Sequence, residues 1–372
     1  MHKKGETIDY LFLCLTAVLV AVGVFVFFSA SLGVLAKSQH EFYAMMISQL
    51  ALGLVGGAIA LIVATKIPTK FWRNNATIFL IVSIGLTALV FVPHLGVMHG
   101  GARRWISIFG FSFQPVEFLK IGFIIYFAAW LSWAKKRTES PIYGILPLTG
   151  LIAAVASVLV FQPDTKSLIL MSATGILMLF LSGAKMKHLL IFGGVIVIAF
   201  IIFALRTPYL SERVATFINP ASDPSGSSYQ LQQSLIAIGS GKMWGKGFGQ
   251  GIQKFTYLPE PQGDSIFAVI CEEFGFVGGA IIVVLYVLFV MRGLWIARRT
   301  DDRFSGLLAT GLVILITLQA FMNIASITGL FPLTGVPLVF MSQGGTSLLV
   351  SLASVGIILG ISKHRIKVTS RK

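Results

Sequence analysis

Tyr257–Leu258–Pro259–Glu260–Pro261–Gln262–Gly263–Asp264–Ser265 runs directly into Ile266–Phe267–Ala268–Val269–Ile270–Cys271–Glu272–Glu273. An acidic turn built on proline and glycine ends where a long apolar run begins, which places Asp264 at a membrane–water boundary. Glu272 and Glu273 follow inside the apolar run itself. Carboxylates held in lipid are costly, and a chain that keeps them generally uses them. At roughly 1.5 Å per residue the two glutamates lie on the order of 10 Å below the helix start. Adjacent helical positions point in different directions, so at least one of the two is expected to pair with a cation or hydroxyl on another helix.

Working outward from this stretch, the whole chain has the composition of a polytopic membrane protein. Of its 372 residues, 56% are hydrophobic and only 12% charged, which excludes an ordinary soluble domain. A span needs roughly 20 apolar residues. Ten candidates occur at about 10–30, 43–65, 77–93, 116–134, 142–161, 167–183, 189–205, 265–291, 304–330 and 345–362. The fold expected is therefore all-α, a single integral domain over 1–372 with a large loop, 206–263, between the seventh and eighth spans. The first run reads as a retained span rather than a cleaved signal.

The net charge of +15 comes from Lys and Arg in short segments between apolar runs. Most of these fall at the N-terminus, in 66–73, 135–137, 185–187 and 292–303, and in the tail, all on one side. The positive-inside rule then puts both termini in the cytoplasm and 94–115, 162–166, 206–263 and 331–344 outside. The charge reads as topology and contact with anionic membrane lipids, not as a nucleic-acid surface. Cys14 and Cys271 both lie in apolar runs, so no disulfide framework is expected. Scattered histidines and the lack of HExxH, CxxC, Walker A and GxSxG patterns give no transition-metal or familiar soluble-enzyme signature.

Four outward clusters can carry chemistry. In the first, Arg103 and Arg104 precede Trp105, and Glu117 and Lys120 stand three apart at a helix start. The arginines suit a phosphate or a lipid headgroup, and Glu117 and Lys120 suit a structural ion pair on one helix face. In the second, Gln162–Pro163–Asp164–Thr165–Lys166, Asp164 can cap the sixth span, and Lys166 would hold its carboxylate ionised. The third joins Glu260 and Asp264 to a basic glycine loop, Gly239 to Gly251, carrying Lys242 and Lys246. Such backbone can approach an anion closely or be a simple flexible loop, and Asp264 can be an N-cap or a functional acid. Before it, 229–238 has the pattern of a short interfacial or re-entrant helix. In the fourth, Pro332 to Leu338 and Met341 to Ser347 break the helix, and the Gly–Gly–Thr–Ser start at Gly344 offers free amides to an anion.

At these clusters the chain resembles the SEDS family (shape, elongation, division and sporulation), the RodA/FtsW proteins of bacteria. The matching pieces are Gly101–Ala102–Arg103–Arg104–Trp105, Gln114–Pro115–Val116–Glu117, Gln162–Pro163–Asp164, Tyr229–Gln230 with Ser234 to Gly241, Tyr257–Leu258–Pro259–Glu260, Glu272–Glu273, Gly335–Val336–Pro337–Leu338 and Gly344–Gly345–Thr346–Ser347. Gln253–Lys254–Phe255 before the acidic turn looks more like the cell-division branch. The chain departs from the family pattern at Gln262–Gly263–Asp264–Ser265, at Thr165–Lys166–Ser167 and at Gln343.

The resemblance implies a peptidoglycan glycosyltransferase of the bacterial cytoplasmic membrane that polymerises lipid II. Asp264 would be its general base. Arg103, Lys120, Asp164, Lys242, Lys246 and Glu260 are the candidate substrate-binding residues, and Glu117, Glu272 and Glu273 the supports. A divalent cation, Mg or Mn, is a candidate aid whose ligands the sequence leaves unknown. The implied partner is a class B penicillin-binding protein, together with other divisome or elongasome proteins. A lipid II flippase and a non-catalytic division scaffold are the rival readings.

Overall fold

The computed structural model describes residues 7–93, 95–99, 102–108, 111–218 and 227–363. It is a bundle of ten apolar helices. Six are long and apolar enough to cross a membrane: Tyr10–Leu35, Gln39–Lys66, Val116–Glu139, Ile266–Arg298, Arg303–Ile327 and Gly345–Ser362. Four shorter apolar helices complete the set: Ala76–Phe91, Ile145–Leu159, Thr165–Leu181 and the one starting at Met186. The spans are numbered first to tenth in chain order below.

Both ends of the described chain meet at one end of the bundle. The Asp9 amide donates to Ser362 Oγ at 3.0 Å, and Arg292 clamps the Asp9 carboxylate through Nε and Nη2 at 3.0 and 2.8 Å. The opposite end, the loop end, carries the long loops.

One of these loops is folded as a sheet. β1 (Gly96–His99), β2 (Ala102–Ile108) and β3 (Phe111–Phe113) form an antiparallel meander in the order β1-β2-β3 within the stretch expected as an outer loop. It is tied to the tenth span through Thr346 Oγ1, which accepts from the Gln114 amide.

The second span is wound more widely over Ser48–Gly56. This turns Gln49 toward the 328–344 connection, where its side chain donates to the Ser342 carbonyl and accepts from the Gly344 amide. Gly53 and Gly57 let the second span lie against Gly345, Leu348 and Leu352 of the tenth. Small residues allow this close backbone approach between helices in lipid.

The eighth span decides the architecture of the loop end. Its 33 residues would run about 50 Å, well beyond the ~30 Å of a hydrocarbon core. It breaks at Gly275, whose φ of 67° is left-handed. The glycine loop covers the broken turn. Lys246 and Gly247 amides donate to the Glu272 and Glu273 carbonyls, while Phe276 and Val277 amides donate to the Lys242 and Met243 carbonyls. Every residue from Ile266 to Glu273 is buried. The short upper piece is therefore a core helix of the protein, and Glu272 and Glu273 stand in protein rather than in lipid.

Candidate active site

The Pro259–Gly263 turn closes around one carbonyl. Glu260 takes a left-handed φ of 47°, and its carbonyl accepts from the Gly263 and Ser265 amides. Ser265 occupies the helix N-cap position, and no side chain caps it. Asp264 is thus free of the capping role the sequence allowed. Instead Gln230, on the outer helix Ser227–Ser240, donates from Nε2 to Asp264 Oδ1 at 2.9 Å. The same amide reaches Ser265 Oγ at 3.1 Å. Asn323 of the ninth span holds the turn from below, donating to the carbonyls of Asp264 (2.7 Å) and Val336 (2.8 Å).

Three charged side chains converge on Gly335 of the 328–344 connection. Lys166 Nζ donates to its carbonyl at 2.6 Å. A Cβ added at Gly335 would lie 3.5 Å from Asp264 Oδ2 and 3.9 Å from the Arg213 guanidinium. Arg213 comes from the outer helix Pro208–Ile218 and donates to the Leu333 carbonyl at 2.6 Å. Gly335 has a φ of 65°, which favours glycine, and any side chain there would enter the space these groups share.

The carboxyl of Asp264 is pushed up from 3.8 to about 6, first by burial and then by Glu260, while Lys166, Arg213 and the Gln230 hydrogen bond pull it down. A carboxylate with that affinity is ionised at neutral pH yet a far better proton acceptor than an ordinary aspartate.

Lys166 also links this carboxylate to the first two sequence clusters, since Asp164, Arg104, Asp264 and Lys120 all act on its charge. A cavity of about 20 Å³ lies between Gln114, Glu117, Lys120, Lys166, Ser167, Leu170, Val336 and Pro337. Glu117 and Lys120 form their expected pair at 2.8 Å, and Gln319 of the ninth span accepts a second Lys120 bond at 3.1 Å. Asp164 is buried and caps the sixth span through the Ser167 amide and hydroxyl.

Arg103 is exposed on β2. Its neighbour Arg104 does the anchoring, donating to the Gln162 and Pro163 carbonyls at 3.2 and 2.5 Å. Lys242 and Lys246 lie at the Gly275 break. Lys246 spends its charge on Glu272 at 2.7 Å, and Lys242 is exposed. Glu273 is fully enclosed, bonded by Lys254 Nζ at 2.5 Å and by Ser29 of the first span at 2.7 Å. Both glutamates of the apolar run therefore have partners, where at least one was expected to.

Lys166, Arg213, Gln230 and Asn323 complete the surroundings of Asp264. The proximity of Lys166 to Asp164 is legible in the chain, but nothing local points it, Arg213 or Asn323 at Asp264. Among the described residues no group of three or more His, Cys, Asp or Glu side chains is placed to hold a metal.

A polytopic helical membrane protein whose raised carboxylate stands beside Lys166 and Arg213, at the end of the bundle that carries a broken helix, is the class that the fold and site define. The chain belongs to the FTSW_RODA_SPOVE family, described as "Cell cycle protein", whose profile matches residues 9–367. It is 36% identical over 366 residues to stage V sporulation protein E of Bacillus subtilis, covering 98% of this chain and 99% of that one. It is 37% identical over 355 residues to the probable peptidoglycan glycosyltransferase FtsW of Trichlorobacter lovleyi, covering 95% and 93%. Among solved structures, a chain from work on a peptidoglycan synthase complex that coordinates polymerization and crosslinking superposes with a TM-score of 0.77 at 25% identity, covering 95% of this chain and 97% of that one. The rod shape determining protein RodA of Thermus thermophilus shares the fold, with a TM-score of 0.69 at 24% identity over 97% and 98% of the two chains.

Proposed function

We propose that this protein is a peptidoglycan glycosyltransferase that polymerises lipid II, with Asp264 as general base. The observation that carries the reading is a half-buried carboxylate, raised to about 6, set among Gln230, Arg213 and Lys166. Family membership and the names of its relatives support the same activity.

In this reading Asp264 accepts the proton of the acceptor sugar's 4-hydroxyl as that oxygen attacks C1 of the donor. The C1–O bond to the diphosphate breaks, the electron pair leaves on the diphosphate oxygen, and the α-linked donor becomes a β-1,4 glycoside. Undecaprenyl diphosphate is released. The leaving group needs charge stabilisation more than a proton, and preorganised cations supply it in a water-poor site. Lys166 and Arg213 are the cations beside Asp264, with Lys120 and Arg104 grouped around Lys166. Glu260 raises the base further and keeps the turn closed.

The distribution of Lys and Arg supports a loop end that faces outward, where the lipid-linked disaccharide is presented. The likeness to a chain from a peptidoglycan synthase complex supports a class B penicillin-binding protein as partner. The test is incubation of purified protein, with and without such a partner, with labelled lipid II. Wild type is expected to build glycan strands and Asp264→Ala to build none. Strands made by a folded Asp264→Ala protein would remove Asp264 from the role.

A further inference from the structure

A second cavity, of about 510 Å³, lies far from Asp264, toward the end of the bundle where the termini meet. It opens sideways between the third, fourth and fifth spans. Its walls include Leu80, Tyr126, Trp130, Tyr143, Leu146 and Gly150, a lining almost wholly aliphatic and aromatic. The volume falls in the range of small-molecule sites. Trp130 spends its indole N–H on the Tyr143 carbonyl at 3.0 Å, which fixes the inner wall.

The rim is cationic. Lys135, Lys136 and Arg137 are exposed in the tight turn Lys135–Glu139 that ends the fourth span, with Glu139 as the one acid among them. The Arg137 guanidinium stands 5.6 Å from the Tyr143 ring and 5.9 Å from the Trp133 ring, so it is held at the mouth by cation–π contact. Tyr143 belongs to both the wall and this cage, which joins the apolar groove to the charged rim.

The flanking helices are also short. Ala76–Phe91 and Ile145–Leu159 have 16 and 15 residues, or about 24 and 22 Å against a hydrocarbon core of ~30 Å. A short hydrophobic face draws the headgroups of the adjoining leaflet inward. Such thinning would bring lipid phosphate toward the rim cations.

We infer that this groove is a binding site for one anionic glycerophospholipid, with an acyl chain between the third, fourth and fifth spans and the headgroup on Lys135, Lys136 and Arg137. Apolar fit alone would admit any lipid tail. The three-cation rim is what selects a net negative headgroup, since basic residues at an anionic lipid surface attract it electrostatically. The site is independent of the sugar chemistry, and it braces the fourth-to-fifth connection against the bundle.

The test is thermal unfolding of the full-length protein in detergent with added dioleoyl phosphatidylglycerol, dioleoyl phosphatidylcholine or undecaprenyl phosphate. Phosphatidylglycerol is expected to raise the Tm of wild type by several degrees, and phosphatidylcholine by less than a third as much. Gly150→Phe should abolish the phosphatidylglycerol shift, because Gly150 lines the groove and a Cβ there meets nothing within 4 Å, which leaves the ring room to enter it. Arg137→Ala, a change at an exposed side chain, should narrow the difference between the two phospholipids. Equal shifts from both phospholipids in wild type, or an undiminished shift in Gly150→Phe, would overturn the site. A tenfold lower half-saturating concentration for undecaprenyl phosphate would reassign it to the prenyl carrier and overturn the phospholipid.

Discussion

Asp264→Asn separates a functional acid from a helix cap, because only the first role predicts a gain of stability at high pH. In the folded protein the carboxyl is raised from 3.8 to about 6, so folding binds a proton more tightly than the unfolded chain does. The contribution of this group to stability is complete below about pH 4 and is lost as pH rises through about 6. At pH 8 the ionised form then costs up to about 3 kcal/mol, and less where solvent reaches the half-buried group. Asparagine carries no charge, and its amide oxygen can still accept from Gln230. The variant should therefore unfold a few degrees higher than wild type at pH 8 and show little gain at pH 4.5. Its polymerisation of labelled lipid II should fall by at least 10²-fold, the scale of a lost general base. A helix cap would behave otherwise, since asparagine caps about as well as aspartate and stability would change little at either pH. Thermal unfolding of purified protein at the two pH values, beside the polymerisation assay, measures both effects. An asparagine variant that gains no stability at pH 8, or that still makes glycan, refutes the reasoning.

The wild-type rate should fall as pH drops through about 6, where Asp264 takes up its proton. In Lys166→Met, with the strongest opposing charge gone, the carboxyl rises further and the acid limb of a pH–rate profile should move to higher pH; an unmoved limb counts against the contact. Lys254→Met leaves Glu273 charged and enclosed, so it should cost about 3–5 kcal/mol of stability, seen as a large fall in Tm. The double change Lys254→Met with Glu273→Leu should recover most of that loss. Gly275→Ala should lower Tm strongly, since its φ of 67° is left-handed and a Cβ would stand 2.4 Å from the Met243 carbonyl oxygen.

Much of the fold was legible because burial in lipid is a local property of the chain. Each span must be apolar along its own length, so hydropathy alone locates it. The fourth and tenth helices begin at Val116 and Gly345, where the sequence places them, and the tenth also ends as expected at Ser362. The Glu117–Lys120 pair was equally legible, since helical spacing brings those two side chains together. The 229–238 pattern likewise anticipated the helix Ser227–Ser240.

Other features depend on partners far away in the chain. Ser29 meets Glu273 across 244 residues, and Arg213 and Lys166 reach Gly335 from different elements. The glycine loop, with the composition of an anion cradle, instead gives its amides to the carbonyls of Glu272 and Glu273, because the break at Gly275 leaves those groups without helical partners. The sequence by itself determined that ten helices lie in a membrane and that an acid stands at the lip of the eighth. Only the tertiary structure decided which cations surround that acid, that it caps nothing, and that its two neighbouring glutamates are neutralised inside the protein. Hydropathy and helical period act over a few residues, whereas charge pairing and burial are settled by whatever the packed chain brings within a few ångströms.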